Sequence, residues 1–228
     1  DEIIIGDING IRLAFLPRHG VGHKILPTEL NFRANIAALK IIGCKQIISV
    51  SAVGSLKEEI VPGHLVMVDQ FIDRTKSRMD TFFGDGLVAH IGFAEPTCNR
   101  LRKHLHQTAQ SVGAVSHAQG TYVCMEGPAF STKAESFWYR SMGADVIGMT
   151  NLQEAKLARE AGICYATIAL STDYDCWHES HDAVTVDMIV ATLLQNVSMA
   201  QAVIKAAVSK LEYSDCKCAH SLDHAILT

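Results

Sequence analysis

The short apolar run at residues 163–170 (Ile-Cys-Tyr-Ala-Thr-Ile-Ala-Leu), bounded by Gly162 and by polar residues, constrains the fold more than any other stretch. Its length suits a strand buried on both faces, although periodicity alone also fits a buried helical segment. Asp173 and Asp175 follow where such a strand would end. Ligands of open α/β sheets bind outside the carboxyl ends of the strands. The carboxylate pair is therefore a candidate site, with a solvated turn as the alternative reading of two Asp residues.

The rest of the chain alternates in the same way. Residues 3–5 and 11–16 flank an Asn9-Gly10 turn signal and read as a hairpin. It ends at Pro17-Arg18-His19-Gly20, a loop pair able to hold an anion or simply to face solvent. Pro27 opens a helical segment to Ile42, stopped by Gly43. Residues 46–50 form a strand leading into a small-residue loop, Ser51-Ala52-Val53-Gly54-Ser55, which can present backbone N–H groups to phosphate or merely make a tight turn. Strands are expected at 64–68, continuing to 74, and at 121–125 and 144–148. Helices are expected at 97–112, from Ser131 or Thr132 to 142, at 152–161, and at 184–211. Residues 75–96 read as a long loop, a length that tends to be functional. Alternating strands and helices without a linker or repeat indicate a single α/β domain with a largely parallel sheet. Arg18-His19, Ser51-Ala52, Glu126, Met149-Thr150 and Asp173/Asp175 all fall at expected strand ends, so they should converge on one edge.

Composition removes several function classes. The chain of 228 residues is 48% hydrophobic and 19% charged, too apolar for a disordered protein. Its net charge of −4, without a Lys/Arg block, disfavours a nucleic-acid partner. No apolar run reaches the length of a membrane span, so a soluble intracellular protein is expected. Seven cysteines without framework spacing fit free thiols. Cys216-Lys-Cys218, followed by His220 and His224, lacks the usual two-residue spacer and lies in a polar tail, so no metal site is expected. His178-Glu-Ser-His181 is one residue short of the zincin spacing, and neither a Walker loop nor a Gly-x-Ser-x-Gly elbow occurs.

With these residues assembled, the chain resembles the 5′-methylthioadenosine phosphorylases of the trimeric purine nucleoside phosphorylase family, from Ile3 to about Leu211. The matching segments are Leu16-Pro-Arg-His-Gly20, Asp69-Gln-Phe-Ile-Asp-Arg-Thr75, Glu126-Gly-Pro-Ala-Phe-Ser131, Ala134-Glu-Ser-Phe137, Ala161-Gly-Ile-Cys-Tyr-Ala166 and Thr172-Asp-Tyr-Asp-Cys-Trp177. The resemblance implies a three-layer α/β domain over residues 1–211, with a mixed, partly barrel-like sheet, and a polar tail over 212–228. It implies phosphorolysis of S-methyl-5′-thioadenosine, with inorganic phosphate as co-substrate and neither metal nor organic cofactor. It further implies Asp173 as the acid at purine N7 and Asp175 as its support in base recognition. Arg18, His19, Ser51, Ala52 and Thr150 would cradle phosphate, with His19 also touching substrate. Met149 would contact ribose, Phe130 stack on the base, and Val186 and Ile189 line the methylthio pocket. His90 would be lent to a neighbouring subunit, which implies a homotrimer with interfacial sites in the cytoplasm, and the nucleus as a second compartment.

Two departures from the family pattern stand out. Relatives carry a strand and a Gly-Gly-Thr-Gly phosphate loop ahead of the position of Asp1; a chain truly lacking them should bind phosphate weakly. Ala129 stands where relatives usually have Arg. The alternatives are a broader phosphorylase acting on adenosine or inosine, and a shortened inactive chain that only joins oligomers.

Overall fold

The computed structural model describes residues 2–179, 186–211 and 216–227. Strands β1 (Ile4–Ile8) and β2 (Ile11–Phe15) form a separate antiparallel hairpin. Asn9 and Gly10 both have positive φ, 56° and 81°, as a two-residue turn matching the strand twist requires. The remaining strands are β3 (Gln46–Ser55), β4 (Leu65–Met67), β5 (Gln70–Arg74), β6 (Ser116–His117), β7 (Thr121–Met125), β8 (Val146–Gly148) and β9 (Cys164–Asp173). They form one seven-stranded sheet in the order β5-β7-β8-β3-β9-β4-β6.

The sheet is mixed, as the resemblance implies, and most of its pairings are parallel, as element alternation implies. The β3–β9, β4–β6, β5–β7 and β7–β8 pairs are parallel, but β3–β8 and β4–β9 are antiparallel. Alternation fixes how often the chain crosses the sheet, not the direction in which a short strand joins it.

Strand β9 is buried from Cys164 to Thr172. Cys164, Ala166, Ile168 and Leu170 face the cluster built by α2 (Asn99–Ser111) and α5 (Val186–Val208). Tyr165, with Ile163 just ahead of the strand, packs against Ala155, Leu157 and Ala158 of α4 (Asn151–Glu160). The period-two alternation of a strand therefore feeds two helical layers. Each large apolar side chain so buried is worth about 1.5–3 kcal/mol. Gly162, φ 66°, ends α4, and a Cβ there would come within 3.3 Å of the Ala219 carbonyl oxygen.

Two local expectations are corrected. The segment from Pro27 is a single 3₁₀ turn, Pro27–Glu29, and α1 (Phe32–Ile41) starts only after Asn31, whose side chain accepts from Ala34 N at 3.3 Å. Ser51 and Ala52 lie within β3, not in a loop, because β3 pairs with β9 through the whole segment and bulges only between Val53 and Gly54. The two-residue strand β6 had no readable sequence signal. Helix α3 (Lys133–Ser141) begins as expected with Thr132 as cap and Glu135 closing the capping box. The expected helix start at 184 and the side chains of Ile189 and Leu193 lie outside the described residues. No helix among the described residues is long and apolar enough to cross a membrane.

Candidate active site

A cavity of about 450 Å³ opens at the carboxyl ends of β3 and β9, roofed by Val197, Ala200, Gln201 and Ile204 of α5. Its wall includes Arg18, His19, Ser51, Ala52, Met149, Thr150 and Asp173. Four of the five expected strand ends thus meet. The exception is Glu126, which turns to Arg78 instead. A larger cavity, about 750 Å³, lies between the hairpin, α1 and β3 and shares Arg18, His19 and Val50 with the first. The smaller one is the better candidate, because Asp173 lines it and not the larger.

At one end sits a cation fixed by buried acceptors. Arg18 Nε pairs with Glu154 Oε1 at 2.7 Å, its Nη1 donates to Thr150 Oγ1 at 3.2 Å, and its Nη2 donates to Ser49 Oγ. Glu154 Oε2 also accepts from Ser49 Oγ at 3.0 Å and Tyr165 OH at 2.7 Å. Asn151 Nδ2 donates to Tyr165 OH and Thr167 Oγ1 at 3.0 and 2.8 Å. The network holds the guanidinium in one orientation. Burial pulls the Arg18 pKa down, but Glu154, with Tyr165 and Tyr122, offsets it and the net shift is upward, so the group stays charged. His19 donates Nδ1–H to the Ile25 carbonyl at 2.9 Å and stacks on His23. Burial pushes its pKa below the usual value, so at neutral pH the ring is uncharged and Nε2 is an acceptor.

Asp173 also lines this cavity, with Asp175 beside it but outside the lining. Asp173 closes β9; its Oδ1 accepts from Asp175 N at 2.7 Å and its Oδ2 from Thr172 Oγ1 at 2.7 Å. Burial raises the pKa of Asp173, and the charge of Asp175 adds to the rise against those two hydrogen bonds. Burial also raises Asp175, which adopts the left-handed φ of 52° and so turns back beside Asp173. Gly54 permits this approach. A Cβ there would lie 3.0 Å from Asp173 Oδ1 and 3.3 Å from Asp175 Cβ.

Phe130, Val186 and His90 are exposed and do not line the cavity of a single chain. His90 is held by its backbone N–H on Ala225 O at 2.9 Å. Sequence reading missed Ser49, Asn151, Glu154 and Tyr165, and also Arg78. The Arg78 side chain is 1% exposed and hydrogen-bonds Met149 O, Glu126 O at 2.6 Å and Gln153 Oε1 at 3.1 Å, fixing the backbone that carries Met149. Asn151 and Glu154 lie on α4, a helix buried nearly all round, and it is this packing that turns them toward Arg18.

The sequence matches the phosphorylase superfamily over residues 1–209. The chain belongs to that family. It is 60% identical to an S-methyl-5′-thioadenosine phosphorylase of Geobacter sulfurreducens, over all of this chain and 80% of the relative. Identity to the enzyme of the same name from Koribacter versatilis is 59%, over all of this chain and 78% of that one. A methylthioadenosine phosphorylase from an Antarctic soil metagenomic library superposes with a TM-score of 0.94 at 50% identity, covering 99% of this chain and 80% of that structure. The methylthioadenosine phosphorylase of Schistosoma mansoni in complex with adenine gives 0.88 at 39% identity, over 91% and 79% of the two chains.

The seven cysteines are free, as expected, but four of them cluster. Cys216 and Cys218 do not gather with His220 and His224, and His220 instead pairs with Asp223 at 3.0 Å. They meet Cys98 and Cys164, from the start of α2 and of β9. Local spacing could not reveal this, because the four residues are joined only by the tertiary fold.

Proposed function

We propose that the cavity catalyses phosphorolysis of S-methyl-5′-thioadenosine to adenine and 5-methylthioribose 1-phosphate. The bond from ribose C1′ to purine N9 breaks, a bond from C1′ to a phosphate oxygen forms, and a proton passes to the leaving base. Inorganic phosphate balances the reaction as the sole co-substrate. The observation that carries this reading is the division of the cavity between a preorganised cation and a carboxyl group whose pKa burial has raised. Positive charge develops on the sugar and negative charge on the base as C1′–N9 lengthens. Arg18, with Thr150 and the Ser51-Ala52 strand, holds the phosphate at one face, each well-placed donor contributing roughly 3 kcal/mol. Neutral His19 accepts a hydroxyl proton from phosphate or sugar. Asp173, protonated, donates toward N7 as general acid, and Asp175 accepts from the exocyclic amino group of adenine.

Met149 is assigned to ribose, Phe130 to base stacking, and Val186 with Ile189 to the methylthio end. His90 and Phe130 reach a site only across a subunit boundary or after local movement. We therefore assign the protein a homotrimer, supported by the exposed Phe130, Phe137 and Trp138, 49, 49 and 44% accessible around α3. Seven cysteines free of disulfides fit the reducing cytoplasm. Purified protein should release adenine from S-methyl-5′-thioadenosine only when phosphate is present, and little hypoxanthine from inosine. Equal turnover of inosine would favour a broad nucleoside phosphorylase, and silence on every nucleoside would favour an inactive oligomer partner.

A further inference from the structure

Cys98, Cys164, Cys216 and Cys218 place their sulfurs within 4.8 Å of one another, and three of the four side chains belong to buried residues. Cys98 and Cys216 are 3.7 Å apart. A disulfide requires about 2.05 Å, so this pair is not bonded. Four thiolates at the ~2.3 Å zinc–sulfur distance of a tetrahedral site stand about 3.8 Å from one another. From this cluster we propose a structural zinc site, a closed tetrathiolate that binds one zinc ion per chain with release of the four thiol protons.

Soft sulfur donors select zinc over the harder divalent cations. Four protein ligands leave no open position for water or substrate, so the ion acts in folding and not in the reaction. The donor set carries two negative charges in excess of the metal. Arg100, whose Nη2 lies 3.9 Å from Cys164 Sγ, offsets part of that charge. The location gives the ion a task. Cys98 caps α2 and donates its backbone N–H to Tyr165 O at 2.7 Å, while Cys164 opens β9. Cys216 and Cys218 belong to the chain beyond α5, whose later residues clasp the long loop. Leu227 N bonds Val88 O at 3.0 Å, and His90 N bonds Ala225 O at 2.9 Å. A zinc ion would rivet that segment to the far end of the strand that carries Asp173, roughly 30 Å from the acid for a strand of this length.

The test is metal analysis of the whole protein purified under reducing conditions without added metal. One equivalent of zinc is expected. It should be lost with Cys98→Ser or with the Cys216→Ser/Cys218→Ser pair and kept with Cys44→Ser, a cysteine outside the cluster. Where the cluster variants fail to fold, cobalt exchange into the unmodified protein replaces them, with the visible bands of tetrahedral thiolate-bound cobalt expected. Chelation should lower the Tm and make the segment after α5 sensitive to protease. Protein that is folded, free of zinc and unable to take up zinc or cobalt would overturn the site. So would thiol titration showing that the four sulfurs form disulfides.

Discussion

Asp173→Asn separates chemistry from stability in one substitution. The amide is nearly isosteric, and the site can satisfy it: its oxygen keeps the bond from Asp175 N, while its NH₂ takes the place of Oδ2 opposite Thr172 Oγ1. That hydroxyl can turn to donate to Val53 O, already 3.2 Å away, and accept from the amide. No buried partner is lost, so the fold should survive. The variant lacks a titratable proton for the leaving base, and general acid catalysis is worth roughly 10²- to 10⁴-fold, or about 2.7–5.5 kcal/mol of barrier. Stability should move the other way. Burial holds the folded-state pKa of Asp173 above its unfolded value. The protein therefore loses stability as pH rises through that raised pKa and the buried carboxyl ionises. The variant does not titrate there, so its stability relative to the parent should improve from acid to alkaline pH. The assays are kcat/KM against pH with S-methyl-5′-thioadenosine, and urea unfolding at both ends of that range. The parent's alkaline limb should reflect loss of the Asp173 proton and should be absent or moved in the variant. A variant within a few-fold of parental kcat, with the same alkaline limb, would refute the assignment of Asp173 as the acid.

Other positions give sharper readings of single contacts. Arg18→Lys keeps the charge but cannot span Glu154, Ser49 and Thr150 together; phosphate KM should rise at least ~10-fold, about 1.4 kcal/mol, with nucleoside KM less affected in initial-rate kinetics. Gly54→Ala drives a methyl group against Asp173 Oδ1, 3.0 Å, and Ile147 Cγ2, 3.1 Å. Displacing the acids should cost up to ~10²-fold in kcat, with only about 1–3 kcal/mol of stability lost to overpacking. Arg78→Met removes a buried cation from Glu126, Gln153 and the Met149 carbonyl. Stranding those acceptors should destabilise the protein by about 3–5 kcal/mol in denaturant titration, and an unchanged midpoint would contradict the contact set.

Legibility followed the range of the interaction. The hairpin was readable because Asn9-Gly10 specifies its turn locally, and α3 because Thr132 and Glu135 form a capping box. Residues 163–170 suited a doubly buried strand but fitted a buried helical segment as well until pairing with β3 decided it, and the placement of polar groups at strand ends led to the cavity. The extension of β3 through Ser51 and Ala52 was not readable, since small residues look like loop until β9 pairs with them. Glu154 and Arg78 were hidden for a related reason. Each looks like an ordinary helix or loop charge, and only tertiary packing turns it inward against Arg18 or the Met149 backbone. The cysteine cluster is the extreme case, drawing on residues 98, 164, 216 and 218. Arg18 and His19 were evident in sequence as a loop pair, but not the burial that lowers the His19 pKa.

The measurement that bears most directly on the account is phosphorus NMR of the protein turning over S-methyl-5′-thioadenosine in phosphate buffer, with adenine followed in the same sample. Phosphorolysis predicts that inorganic phosphate disappears into a sugar 1-phosphate signal, mole for mole with adenine. Adenine appearing while the phosphate signal stays constant would mean that water is the nucleophile, and would contradict the role given to Arg18 and its buried network.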